Sequence, residues 1–117
     1  PARVYAAFTE SMRLALDSDW KPGVTMNALF LGYLDAERGD ETGLDRLADA
    51  IKCARRTRDL SLVATGQWLQ ARWLARQRRS EEALVAFTLA IDTANRCGDS
   101  GLERELIGER DKELRDS

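Results

Sequence analysis

Four arginines lie close together in the chain, at positions 72, 76, 78 and 79, and no acidic residue occurs between Thr65 and Ser80. Trp68, Arg72 and Arg76 follow one another at four-residue spacing. On a helix this spacing predicts a single ladder of side chains, with steps of about 5.4 Å. A guanidinium group beside an aromatic ring can form bidentate hydrogen bonds to a carboxylate or phosphate and stack at the same time. The pattern therefore predicts a site for an acidic or phosphorylated peptide.

Other kinds of chemistry find little support in the composition. The chain has 117 residues and no histidine, so the commonest general base and the commonest metal ligand are missing. No paired-carboxylate or phosphate-loop pattern stands out, and the two cysteines, Cys53 and Cys97, have no metal-ligand spacing. We expect no enzymatic activity, no cofactor and no metal site.

Charge and hydropathy bear on the partner and the compartment. The 18 basic and 20 acidic residues give a net charge of −2, whereas a domain that binds nucleic acid is normally basic. No apolar run approaches the length of about 20 residues that a bilayer span needs. The cysteines are expected to be reduced and to pack as small apolar residues, with a disulfide as the alternative. We expect a cytoplasmic protein with neither nucleic acid nor a membrane as partner.

The elements that position these residues are predicted to be helices throughout. Proline occurs only at positions 1 and 22, and the apolar residues recur at helical spacing. The segment from Lys21 to Gly23 is expected to separate the first helix from the second. Ser80 is expected to cap one later helix, and Ser100 to begin a capping box in another. The fold class is therefore all-α, with about six helices over 3–18, 24–38, 41–57, 60–78, 81–97 and 101–115.

An internal repeat is the strongest feature of the sequence. Residues 50–59 align with residues 90–99 at an offset of 40, and five of the ten positions are identical. The match extends to Leu44 with Leu84 and to Leu47 with Phe87. Large residues at these positions are expected to fill the space between paired helices. Small residues are expected where the helix backbones approach closely: Gly32, Gly43, Ala50, Ala71, Ala83 and Ala90.

The segment 82–91 resembles the second helix of a tetratricopeptide repeat, with Ala83, Phe87 and Ala90 at that family's small, large and small positions. Leu31 and Gly32 resemble the matching pair in the first helix. The period near 40 is similar to the extended branch of the family, which includes kinesin light chains and sensor domains of bacterial activators. Asp35, Gln67 and Gln70 depart from the pattern. An unrelated helical bundle and a HEAT-type solenoid are the alternatives.

The resemblance implies an α-solenoid of antiparallel helix pairs in a single domain, 1–117. Residues 1–20 would be the second helix of a truncated repeat, 24–59 and 60–99 two complete repeats, and 100–117 a capping helix. Because the chain opens with Pro1, we expect it to be part of a longer protein. In the first helix, Ala15 and Leu16 are matched to Ala90 and Ile91, and the charged last helix is expected to be a solvated cap.

The function that the resemblance implies is that of a non-enzymatic scaffold which binds a protein or peptide, as part of a bacterial regulatory protein. An acidic partner suits the arginines. The same resemblance implies a concave groove lined by Leu29, Tyr33, Trp68, Arg72 and Arg76. For these residues the alternative is structural: Trp68 lies in the core, and the two arginines pair with Glu37 and Asp35 or are solvated.

A second hypothesis is that the chain is an assembly module which forms homo-oligomers through the exposed ends of the helix stack. The first helix lacks a partner in the predicted arrangement, and we expect it to expose Val4, Tyr5, Phe8 and Met12. Burying this face against another copy would give a homodimer.

Overall fold

The computed structural model describes residues 2–115 and folds them into helices joined by short turns, with no strand in that range. Pro1, Asp116 and Ser117, the outermost residues of the first and last predicted elements, lie outside the described residues. The predicted all-α class with six helices is confirmed. The helices are α1 (Ala2–Asp17), α2 (Lys21–Glu37), α3 (Thr42–Arg56), α4 (Leu60–Arg76), α5 (Ser80–Arg96) and α6 (Ser100–Arg115).

The starts of three helices differ from the prediction. Helix α2 begins at Lys21 rather than 24, because Pro22 lies in the first turn, where its missing N–H removes no helical hydrogen bond. Ser80 is the first residue of α5 and not its cap. At α6 the cap is Asp99 rather than Ser100, since the Leu102 amide donates to Asp99 Oδ1 at 3.0 Å. Asp59 caps α4 in the same way, through the Leu62 amide at 3.2 Å.

All five turns between the helices share one backbone geometry. A residue with positive φ recurs every 19 or 20 positions, and the next amide donates to a carbonyl five residues back at 2.8–3.0 Å. This bond satisfies a carbonyl at the end of each helix. The positive-φ residues are Asp19, Gly39, Arg58, Arg78 and Gly98. The predicted repeat is therefore present in the backbone as a regular series of turns.

These turns also fix the register of α1 against the other helices. The accepting carbonyls belong to Ala15 in α1, Ala54 in α3 and Ala94 in α5, and all three alanines are buried. Ala15 therefore matches Ala94, one helical turn later than the predicted match to Ala90. The corrected register places Phe8 at the position of Leu47 and Phe87.

Small residues let the paired helices approach closely, as predicted. A Cβ on Gly32 would lie 2.8 Å from the carbonyl oxygen of Gly43 and 2.9 Å from the Leu47 amide, so α2 and α3 cross almost at backbone contact. Leu47 beside this crossing is fully buried. Between α4 and α5 the matching residues Ala71, Ala83 and Phe87 are also fully buried.

Leu84 was expected to fill the same space as Phe87, and this expectation is wrong. Its side chain is 49% exposed, because it lies on the side of α5 that faces away from α4. The matching Leu44 of α3 is half-buried and lines a cavity with Trp73 and Leu74 of α4. No described helix covers Leu84 in that way.

The helices contact one another in chain order, and α4 also contacts both α2 and α6. The described parts of α1, α3 and α5 make no close backbone contact with one another. This order of contacts is the one that successive helix pairs require when they stack on each other. It places α4 between α2 and α6, so side chains of these three helices face a common surface.

Helix α1 packs on α2 more closely than expected. The Phe8 and Phe30 rings stack with centroids 4.9 Å apart, and Tyr5 and Met12 are also half-buried. The expectation that Tyr5, Phe8 and Met12 are exposed is therefore wrong, because one side of α1 is covered by α2. Val4 remains 44% exposed on the other side.

Candidate binding site

Four of the five predicted groove residues come together between α2 and α4. Tyr33 projects from α2 toward the ladder of Trp68, Arg72 and Arg76 on α4, and direct contacts link the four side chains. Leu29 is not part of this cluster, because it is fully buried in the core with Leu47. The helical wheel alone does not show that α4 covers this side of α2.

Aromatic rings hold the two guanidinium groups in place. Arg72 Cζ lies 4.5 Å from the centroid of the Trp68 ring and 5.7 Å from that of Tyr33. Arg76 Nη1 donates to the Tyr33 hydroxyl at 3.1 Å. The predicted ladder is present, and both Arg72 and Arg76 contact Tyr33.

Carboxylates of α2 and α6 form ion pairs with the two arginines. Arg72 binds Glu109 of α6 through Nη2 at 2.5 Å and Nε at 2.7 Å. Arg76 binds Glu37 of α2 at 2.8 Å and lies 3.6 Å from Glu113 of α6. The structural alternative is thus correct for Arg76 and Glu37.

Asp35 takes no part in this cluster. It is buried on another side of α2, where it binds Arg38 at 3.0 Å and also pairs with Arg46 of α3. The expectation that Asp35 pairs with Arg72 or Arg76 is therefore wrong. Tyr5 of α1 lies 4.2 Å from Arg38 Cζ, and these residues border a surface cavity of about 640 Å³ between α1, α2 and α3.

Glu109 and Glu113 were not predicted as site residues, since α6 was expected to be a solvated cap. Their side chains are only 17% and 18% exposed. Their four-residue spacing equals that of Arg72 and Arg76, and this match was the signal available in the sequence. Part of the charged side of α6 therefore lies against α4 rather than in solvent.

Burial dominates the electrostatics of the cluster. It raises the pKa of the Glu109 carboxyl above its ordinary value, although Arg72 acts in the opposite direction. Burial, with a smaller contribution from Glu37, raises the pKa of the Tyr33 hydroxyl to about 12. Two buried polar atoms, Glu109 Oε2 and Trp68 Nε1, have no hydrogen-bond partner within residues 2–115. The cluster thus keeps one free acceptor and one free donor.

The cluster offers ion pairing and stacking rather than covalent chemistry. Within the described range, no group of three or more acidic or cysteine side chains is arranged to hold a metal ion. Cys53 and Cys97 are free, half-buried thiols on other parts of the fold. None of the described helices is both long enough and apolar enough to cross a bilayer.

Comparison of the chain with protein-family models, with curated proteins and with solved structures gives no match.

Proposed function

We propose that this chain is a tetratricopeptide-type scaffold that binds an acidic segment of a protein or peptide and performs no reaction itself. The observation that carries the proposal is the contact of Arg72 with both the Trp68 ring and the Glu109 carboxylate. The cluster already holds a carboxylate from a helix that lies across it. A partner with similarly spaced acidic residues can make the same contacts.

The arrangement of the helices supports the scaffold part of the proposal. The five turns repeat every 19 or 20 residues, and small residues lie at the crossing of each pair. Helix α4 contacts both α2 and α6, so the side chains of the three helices form a continuous face. Such a face suits recognition of an extended or helical segment, as the resemblance implies.

Helix α6 is the internal competitor in this proposal. Leu106 is its one fully buried side chain among residues 100–115, and two of its other contacts are ion pairs to α4. An incoming acidic segment exchanges its carboxylates for those of Glu109 and Glu113. The guanidinium groups are paired before and after the exchange, and the displaced carboxylates of Glu109 and Glu113 have to become solvated for it to occur.

The proposal extends to the setting of the chain. The free thiols of Cys53 and Cys97 fit a reducing cytoplasm. The resemblance to sensor domains favours a place within a larger bacterial regulatory protein. The net charge of −2 supports a protein partner rather than nucleic acid.

A binding experiment with a labelled hexaglutamate peptide tests the proposal. Glu109→Gln with Glu113→Gln removes the internal carboxylates, and fluorescence anisotropy should show roughly tenfold tighter peptide binding than to the wild-type chain. Binding should weaken as salt rises. Glu105→Gln with Asp111→Asn, which alters two exposed acids of α6, serves as the matched control and should bind like the wild type.

The arginines are tested in the same assay. Arg72→Gln with Arg76→Gln should abolish peptide binding, and circular dichroism should show that the variant remains helical. If the variant without the arginines binds the peptide as well as the variant without Glu109 and Glu113, the cluster is not the binding site.

A further inference from the structure

The cavity of about 640 Å³ between α1, α2 and α3 has an equivalent one repeat later, a cavity of about 350 Å³ between α3, α4 and α5. The turns set the match, because the amides of Asp40 and Arg79 donate to the carbonyls of Asp35 and Leu74 in the same geometry. Three charged or aromatic residues of the first cavity therefore have apolar counterparts in the second. These are Tyr5, Asp35 and Arg46, which match Leu44, Leu74 and Ala86.

The ion pairs of the first cavity are not needed to pack the helices. The Asp35 side chain is only 8% exposed and pairs with Arg38 and Arg46. One repeat later, Leu74 and Ala86 complete the same arrangement of helices without a charge at either position. Since apolar residues in place of a buried ion pair commonly give equal or greater stability, packing alone does not explain the charged lining.

Asp35 and Tyr5 hold the guanidinium group of Arg38 at the wall of the first cavity. Arg38 Nη2 donates to Asp35 Oδ1 at 3.0 Å, and Arg38 Cζ lies 4.2 Å from the centroid of the Tyr5 ring. A guanidinium group has five N–H donors, and no described residue accepts from Nε or Nη1 of Arg38. These free donors suit a carboxylate, and the contacts with Asp35 and Tyr5 fix their position in advance.

An unpaired carboxylate lies on the opposite wall. Asp49 of α3 lines the cavity, is exposed, and has no ion-pair or hydrogen-bond partner among residues 2–115. It follows Arg46 by three positions, so the Cβ atoms of the two residues are about 5–6 Å apart. The rest of the lining is mostly apolar and includes Met12, Ala28, Leu31 and Ala50.

We propose that this cavity binds a small zwitterion with an apolar body, of the size and charge spacing of an apolar dipeptide. The carboxylate of the ligand accepts from Arg38, its ammonium group donates to Asp49, and its side chains lie against Leu31 and Ala50. A ligand with one sign of charge would leave the opposite wall unmatched. The volume falls within the range of about 300–1,000 Å³ that is typical of small-molecule sites.

The spacing of the two charges favours a dipeptide over a free amino acid. In an amino acid both charged groups are attached to one carbon, whereas the ends of an extended dipeptide are up to about 7 Å apart. The proposal is independent of the acidic-segment site, because the cavity shares no residue with Trp68, Arg72 and Arg76.

Titration of the chain with leucyl-leucine, followed by proton–nitrogen correlation NMR, tests the proposal. The amide signals of Leu31 and Ala50 should shift and reach saturation. N-acetyl-leucyl-leucine lacks the ammonium group and leucyl-leucinamide lacks the carboxylate, so each should bind roughly tenfold more weakly, as should free leucine. The absence of saturable shifts, or equal binding of either blocked dipeptide, would overturn the proposal.

A conservative substitution tests the ammonium contact. Asp49→Asn should weaken binding of leucyl-leucine roughly tenfold. Asp45→Asn is the matched control, because Asp45 is an exposed residue of α3 that does not line the cavity, and it should bind like the wild type. Equal affinity of the two variants would show that Asp49 does not receive the ligand, against the proposal.

A graft between the two cavities tests whether the ion pairs serve the ligand or the fold. Asp35→Leu with Arg46→Ala gives the first cavity the residues that the second has. The variant should remain helical by circular dichroism and unfold in urea at an equal or higher concentration than the wild type, yet lose binding of leucyl-leucine. A variant that is unfolded without urea would show that the ion pairs are structural, and one that still binds like the wild type would show that they are irrelevant to the ligand; either result would contradict the proposal.

Discussion

The ion pair between Arg72 and Glu109 provides a sharp test of how the site is held together. Their side chains are 21% and 17% exposed, which lies between a surface pair and a buried one. Breaking a buried pair costs about 3–5 kcal/mol, and an exposed pair contributes about 0–1 kcal/mol. We therefore expect Arg72→Met to lower the free energy of unfolding by about 2 kcal/mol near neutral pH.

The pH dependence of this loss follows from Glu109. Burial raises the pKa of its carboxyl in the folded protein, and Arg72 holds that pKa down. Without Arg72 the pKa rises further, so folded Glu109 takes up a proton at a higher pH than the unfolded chain does. The destabilisation is then full at neutral pH and shrinks as the pH falls toward about 4, where the carboxyl is neutral.

Urea unfolding followed by circular dichroism at both pH values measures the two effects. Arg104→Met, at an exposed position of α6, is the control and should change stability by less than about 0.5 kcal/mol at either pH. A loss for Arg72→Met that equals the control, or one that grows as the pH falls, would refute the argument that Arg72 compensates a buried carboxylate.

Three further predictions concern the packing and the turns, and urea unfolding measures each of them. Phe87→Ala should lower the free energy of unfolding by about 3–5 kcal/mol, because Phe87 is fully buried between α4 and α5. Leu84→Ala, at a site that is 49% exposed, should lower it much less. Equal losses would contradict the pairing of these helices. Gly32→Ala should lower the free energy of unfolding by about 1–3 kcal/mol, because its Cβ would lie 2.8 Å from a backbone oxygen of α3. An unchanged stability would mean that α2 and α3 are farther apart. Arg58→Gly and Arg78→Gly should each stabilise the chain by roughly 0.5–1 kcal/mol, because both arginines have positive φ; a loss of stability at both sites would show that the side chains matter more than the backbone.

Much of the local structure could be predicted because it depends on short-range order. Helical spacing of apolar residues predicted six helices, and the four-residue spacing of Trp68, Arg72 and Arg76 predicted their common face. The internal repeat predicted the buried position of Phe87. Helix starts were less predictable, because Asp99 caps α6 in place of the neighbouring Ser100, and α5 begins at Ser80 without any side-chain cap.

Contacts between residues far apart in the chain decided which side chains are buried and which charged groups pair. The sequence by itself determined the helices, their period and the small residues at the crossings, since these depend on residues within one or two turns of each other. Only the tertiary structure showed that Leu29 is buried, that Asp35 binds Arg46, and that Glu109 reaches Arg72 from a helix 37 residues further along the chain. The partner of a charged side chain depends on which helix lies opposite it, and that is settled by the packing of the whole chain.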